Sequence, residues 1–148
     1  MIFQQLNRTD PERIDLVVGN VDGGGTLTAG LAAVLVEAGA SIDGISAVRQ
    51  PTDTSKAKGF IGIAVENIPV NGYGLVRAHG IASAYLSNVG TSITITRGDV
   101  LVPGAVAGQF FSSITPQAMS TLLYKYAYAA QTATISALTA VNVVVRAL

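Results

Sequence analysis

Between residues 59 and 109 the chain is punctuated rather than continuous: short apolar runs are each ended by a glycine, an Asn-Gly or a Gly-Asp. Residues 60–65 form one run, and Asn71-Gly72 is a turn pair. Residues 75–78 form a second run, stopped by Gly80. Ile93 and Ile95 alternate with threonines, Arg97-Gly98-Asp99 turns the chain, and residues 100–102 run into Pro103-Gly104. Runs of roughly four to eight β-formers bounded by Gly, Asn, Asp and Pro read as strands joined by tight turns. Gly72, Gly98, Asp99 and Pro103 are therefore expected as turn residues. Gly72 is expected to supply the positive φ of a hairpin turn.

The flanking chain extends this reading. Residues 14–18 are the first strand candidate. Residues 27–38 are compatible with a helix or a strand, with Gly30 inside and Val34, Leu35 and Val36 at home in either. Residues 45–48 are another short strand, and 51–59 the most polar segment and an expected exposed loop. Residues 116–128 are the place where a helical turn competes, with Met119, Leu122 and Leu123 near helical spacing. At the end, Val141, Val143 and Val145 alternate with Asn142 and Val144, as in a strand covered on both sides. The expected fold is all-β: a compact antiparallel barrel or sandwich of short strands with at most one or two short helices. One β domain is expected over residues 14–148, preceded by an N-terminal arm, 1–13.

The chain also echoes itself. LTAGLAAVLVEAGASI, FIGIAVENI and YGLVRAHG in one half answer ITRGDVLVPGAVAGQF, YAYAAQTA and VNVVVRAL in the other. Arg77-Ala78 and Arg146-Ala147 fall at equivalent ends, which suggests two copies of one supersecondary unit.

Chemistry is harder to find. Nine basic and nine acidic residues make only 12% of the 148 residues, too few cations for a nucleic-acid binder. With no cysteine there is neither a disulfide nor a thiolate metal site. A 49% hydrophobic content at this charge is expected to bury surface in an assembly. The apolar stretches are interrupted well short of the ~20 residues of a membrane span, and the start lacks the pattern of a signal peptide. Synthesis in the cytoplasm is the expectation. His79 is the sole histidine, which excludes a two-histidine metal site; beside Gly80 at a strand end it is expected as a turn or surface residue, and no His-based dyad is read from it. Glu66 and Asp99 are the conceivable acid–base pair, but a strand end and a turn explain them. No base accompanies the threonines of 91–96. Tyr124, Tyr126 and Tyr128 alternate at period two, as on a sugar-binding face or, more simply, a half-buried strand or interface. Residues 18–30 hold five glycines. Asp22-Gly23-Gly24-Gly25-Thr26 looks like the first phosphate loop of actin-like sugar kinases. That fold needs two large domains, so a wide glycine turn is the expectation. No catalytic, cofactor-binding or metal-binding residue is expected.

Residues 1–13 hold few β-formers and a Pro11 break. Extended at ~3.3 Å per residue they span about 40 Å, enough to reach a neighbouring subunit. Ile2, Phe3 and Leu6 are the expected apolar contacts of this arm, and Arg8 and Arg13 polar ones.

A family resemblance rests on three motifs: Gly62, Ile63, Ala64, Glu66 and Ile68; Asn71, Gly72, Gly74, Val76 and Gly80; and Gly98, Asp99, Leu101, Pro103 and Gly108. In these the chain resembles the small capsid decoration, or cement, proteins of tailed phages, over about 55 residues and more loosely from Leu27 onward. The resemblance implies a β-rich, commonly trimeric virion protein. It would bind the major capsid protein on the head exterior, at or near threefold and quasi-threefold axes, and clamp capsomers. A carbohydrate- or receptor-binding module of a tail or fibre is the alternative; it would expose an aromatic platform, where cement buries its aromatics.

Overall fold

The computed structural model describes residues 13–21, 25–36, 41–42, 44–51, 59–87, 92–103, 110–112 and 127–147. These form β1 Ile14–Asn20, β2 Ala32–Leu35, β3 Ser41–Ile42, β4 Ile45–Arg49, β5 Phe60–Ala64, β6 Tyr73–Leu86, β7 Ile93–Ile95, β8 Val100–Pro103, β9 Phe110–Ser112, β10 Ala127–Ala129, β11 Ala133–Ile135 and β12 Thr139–Arg146. Among the described residues there is no α-helix. The protein is all-β, as its glycine punctuation predicts.

Strand pairing closes on itself twice. The order β1-β4-β2-β5-β6 returns to β1, and β6-β12-β10-β8-β9 returns to β6. Each ring has five strands. In each, one contact is parallel, β1 with β4 and β6 with β9, and the others are antiparallel. Closure leaves no open sheet edge along a ring. The strand β3 pairs with β4 at the side, while β7 and β11 form a separate two-stranded sheet.

The 14-residue β6 serves both rings. Its first half pairs with β1 and β5, and its second half with β12. Between them sits Gly80 at φ 107°, a backbone state that glycine reaches without steric cost. Arg77 Nη1 donates to Ile81 O at 2.6 Å across this point. Gly80 therefore does not stop the run at residues 75–78; it redirects one continuous strand from ring to ring. Side chains alternate strictly along β6, with Gly74, Val76, Ala78, Gly80, Ala82, Ala84 and Leu86 buried. Small residues suit the narrow interior of a five-stranded ring.

The first ring encloses Val18, Leu27, Ala33, Val48, Ala64, Ile68 and Val76. A second core holds Ala84, Leu86, Ile95, Leu101, Ala129, Val141 and Val143, and it also takes in Ala32, Val34, Phe60 and Ile63 from the first ring's strands. The halves thus share a core as well as a strand.

They also share a hydrogen-bond plan, so the internal echo is structural. In one half Leu31 N reaches Thr28 O at 3.2 Å, with Gly30 at φ 86°; in the other Asp99 N reaches Thr96 O at 3.0 Å, with Gly98 at φ 94°. Gly30 N donates to Ala64 O and Ala64 N to Leu31 O. Gly98 N likewise donates to Ala129 O and Ala129 N to Asp99 O. Val65 N reaches Leu75 O as Ala130 N reaches Asn142 O. Asn67 Oδ1 accepts from Ala29 N as Thr132 Oγ1 accepts from Arg97 N. The Leu27–Ile68 bridge recurs as the Ile95–Ala133 pair. This alignment matches Leu75 with Asn142, so Arg77 corresponds to Val144. The Arg-Ala equivalence read from sequence is two residues out of register.

Other expectations change in detail. Of residues 27–38, Ala32–Leu35 is strand and Leu27 makes the bridge to Ile68. Pro51 is buried, and 52–58 of the expected loop lie outside the described residues. Ala127 and Tyr128 belong to β10 rather than to a helical turn; 116–126 are not described. In β12, Val141, Val143 and Val145 are buried while Asn142 is exposed and Val144 half-buried, so one face is covered rather than two. Gly98 and Asp99 occupy a turn as expected, whereas Pro103 is the buried last residue of β8, opposite Phe110.

At the Asn71-Gly72 turn the positive φ, 58°, falls on Asn71, and Gly72 is not in that region. The turn closes with Gly72 N to Pro69 O at 2.9 Å. Positive φ at its third residue is the type II pattern, which asparagine tolerates. Gly72 is needed for space: a Cβ there would lie 2.6 Å from Pro69 Cγ and 3.1 Å from Pro69 O. Gly72→Val is expected to cost about 1–3 kcal/mol through this overpacking. An unchanged melting temperature would show that the turn accommodates the side chain.

Candidate functional site

The outer face of β1 and β6 carries the described apolar surface with the clearest organisation. Val17 stands opposite Leu75, and Val65 N donates to Leu75 O at 3.0 Å, so three side chains line up across neighbouring strands. Val17 is 56% exposed, Val65 42% and Leu75 36%. One rung along, Tyr73 stands opposite Gly19 and is 43% exposed. The sequence places Val17, Val65 and Leu75 in strands but not on an exposed face, because the odd positions of β6 can be assigned a face only once its partners are known.

The row ends at an ion pair. Asp15 and Arg77 are directly opposed, with Arg77 Nε to Asp15 Oδ1 at 2.8 Å and Nη2 to Oδ2 at 3.2 Å. The Arg77 hydrogen bonds hold the Asp15 carboxyl below its ordinary value, against burial, which raises it; the charges of Arg77 and Arg13 add to the lowering. Arg13, exposed, places Nε 3.0 Å from Asp15 Oδ2. Of the five arm contacts expected from sequence, Arg13 alone lies among the described residues. Ile2, Phe3, Leu6 and Arg8 lie outside them.

The conceivable acid–base pair is occupied by backbone. Glu66 Oε1 accepts from Leu75 N at 2.9 Å, and Asp99 Oδ2 from Thr96 N at 2.6 Å. His79 sits half-buried in β6, opposite Ile14 and Arg146. Thr94 and Thr134 bring their hydroxyls to 3.5 Å across β7 and β11. Tyr128 is half-buried; Tyr124 and Tyr126 are not described. Of the glycine-rich stretch, Asp22, Gly23 and Gly24 are not described. Beside it the fully buried Asn20 donates Nδ2 to Gly25 O at 3.0 Å and Ile68 O at 2.8 Å. Among the described residues no three His, Asp or Glu gather as a metal set, and no helix is long and apolar enough to cross a membrane.

Two grooves occupy matching places in the two halves. The first, about 280 Å³, is lined by Ala29, Gly30, Val65, Arg77, Ser83 and Tyr85. The second, about 470 Å³, is lined by Ile81, Arg97, Gly98, Tyr128, Val144 and Arg146. The Arg146 guanidinium lies 5.7 Å from the centre of the Tyr128 ring, within cation–π range.

No known family matches the sequence, and no curated protein does.

Proposed function

We propose that this protein is a structural component of a tailed-phage virion, a decoration or cement protein that binds the exterior of an icosahedral head and stabilises contacts between capsomers. The observation that carries the reading is the exposed row Val17, Leu75 and Val65, on a closed, sparsely charged β-barrel scaffold. Such a row loses favourable free energy while it faces water, at ~25 cal/mol per Å², and recovers it on a complementary protein surface. The resemblance in the turn motifs supports the same assignment. In this role the protein is made in the host cytoplasm, uses no cofactor, performs no catalysis, and has the major capsid protein and two further copies of itself as partners.

The rival, a glycan- or receptor-binding tail module, depends on an aromatic platform. Among the described aromatics Tyr73 is exposed, Tyr85 and Tyr128 are half-buried, and Phe60 is buried, which favours the assembly reading.

The test uses heads that lack the protein. Val17→Glu with Leu75→Lys, opposite charges at directly opposed positions, should weaken head binding about 100-fold or more, since each change replaces an apolar contact by a desolvated charge. The melting temperature should move little, because both side chains already face solvent. Undiminished binding by the stable double variant would defeat the proposal. Light scattering on the free protein should give about three times the 15.2 kDa chain mass.

A further inference from the structure

The two grooves are built at corresponding places, but a further segment of the chain walls the first and, among the described residues, none walls the second. In the first half, residues 83–85 of β6 run into the groove as an extended segment. Tyr85 N donates to Gly30 O at 3.0 Å, and the Tyr85 ring lies so close over Gly30 that a Cβ there would meet Cδ2 at 2.9 Å. The cation of that groove, Arg77, is neutralised by Asp15. A strand of the same chain thus supplies a backbone donor for the turn glycine and a side chain across it, and the neighbouring strand supplies a carboxylate.

Gly98 holds Gly30's place in the second half, with the same bond to the strand beside it. Nothing lies within 4 Å of where its Cβ would stand. No donor among the described residues reaches the Gly98 carbonyl. From β6 only Ile81 lines this groove, and no counterpart of the Tyr85 segment enters it among the described residues. Among the described residues its charges are Arg97 and Arg146, and no carboxylate lines it. Among the described residues neither arginine has a carboxylate partner. The closest acid in sequence, Asp99, is engaged by Thr96 N.

We propose that the second groove is a docking site for an extended acidic peptide segment of a partner protein. The segment supplies in trans the backbone donor and covering side chain that residues 83–85 supply in cis, and adds a carboxylate of its own. A backbone N–H is donated to Gly98 O, an apolar or aromatic side chain lies over Gly98 against Ile81 and Val144, and a carboxylate bridges Arg97 and Arg146. Stacking on Tyr128 restrains the Arg146 guanidinium before the ligand arrives, which lowers the ordering cost of binding. Added-strand recognition of this kind takes affinity from main-chain bonds and specificity from side-chain sites. The site stands whether or not the protein decorates a capsid.

The probe is the capped peptide Asp-Ser-Ala-Tyr-Asp, the 83–85 sequence flanked by aspartates, beside its counterpart with both aspartates changed to asparagine. Binding to the full chain is followed by calorimetry and by amide chemical shifts. The aspartate peptide should bind about tenfold more tightly than the asparagine peptide, the expected weight of a charge-assisted contact. Shifts should centre on residues 97–98, 129–130 and 144–146. Arg97→Gln with Arg146→Gln, both at exposed positions, should abolish the preference without changing the melting temperature. Equal binding of the two peptides, no binding at millimolar concentration, a preference that survives the double substitution, or shifts centred on the first groove would each overturn the proposal.

Discussion

Gly62→Ala should destabilise the protein by about 3–5 kcal/mol and lower its melting temperature by about 10 °C or more. A Cβ at Gly62 would lie 2.2 Å from the carbonyl oxygen of Arg77 and 2.7 Å from Val76 Cγ1. Neither neighbour can withdraw. The first is backbone of β6, which pairs with β1 and β5, and Val76 is fully buried in the first ring. Gly62 also sits at φ 152°, where side-chain-bearing residues are strained. Gly98→Ala is the internal control. There φ is 94° but nothing stands within 4 Å, so only backbone strain of about 1 kcal/mol applies. If the two alanine variants melt together, close approach of β5 to β6 is not what requires glycine at residue 62.

Asn20→Ala is expected to cost about 2 kcal/mol, because the part-buried Gly25 O and the buried Ile68 O both lose the Asn20 amide, while Ile68 O keeps Leu27 N at 2.9 Å. In the matching pair of the second half, Leu86 stands opposite Phe110 as Asn20 stands opposite Val48. An apolar side chain is therefore compatible with the strand itself, and the requirement for Asn20 comes from the loop it braces. Asn20→Asp separates polarity from shape. It keeps the size but removes both N–H donors and faces an anion towards carbonyl oxygens, so it should destabilise at least as much as alanine. If Asn20→Asp were well tolerated, packing rather than hydrogen bonding would be what fixes this position.

How much of this was legible in the sequence depended on the range of the interaction. Local rules worked at Gly98 and Asp99, where a glycine at positive φ and an aspartate bonding a backbone amide are set within four residues. They failed in detail at Asn71-Gly72, because both residues tolerate positive φ and the turn is pinned from a distance, by Asn71 N to Asn20 O at 2.8 Å and Asn20 N to Gly72 O at 2.9 Å. Gly80 was read as a stop since a strand that changes partners midway is defined by β1, β5 and β12, each distant in sequence. The internal repeat was visible, but its register was not. A two-residue slip preserves the alternation of buried and exposed positions, so hydrophobic pattern cannot detect it. Pairing can, and it sets Arg77 against Val144. The open groove was invisible for a plainer reason: Ile81, Arg97, Tyr128 and Arg146 come from four separate parts of the chain. In sequence Arg97 is a turn residue, Tyr128 one of three alternating tyrosines and Arg146 one end of the internal echo, with nothing to connect them.

The continuous passage of β6 through Gly80 decides how the two rings depend on protein concentration. A chain of half the length would carry its own five strand segments but leave Ala32, Val34, Phe60 and Ile63 without the apolar neighbours that now cover them. It could bury them only by meeting a second molecule, so its stability would rise and fall with dilution. Fusion without a linker makes that encounter intramolecular, at an effective concentration that does not change when the protein is diluted. The paired rings therefore persist in a single molecule at any dilution, and the face at Val17 and Leu75 remains free for a different contact.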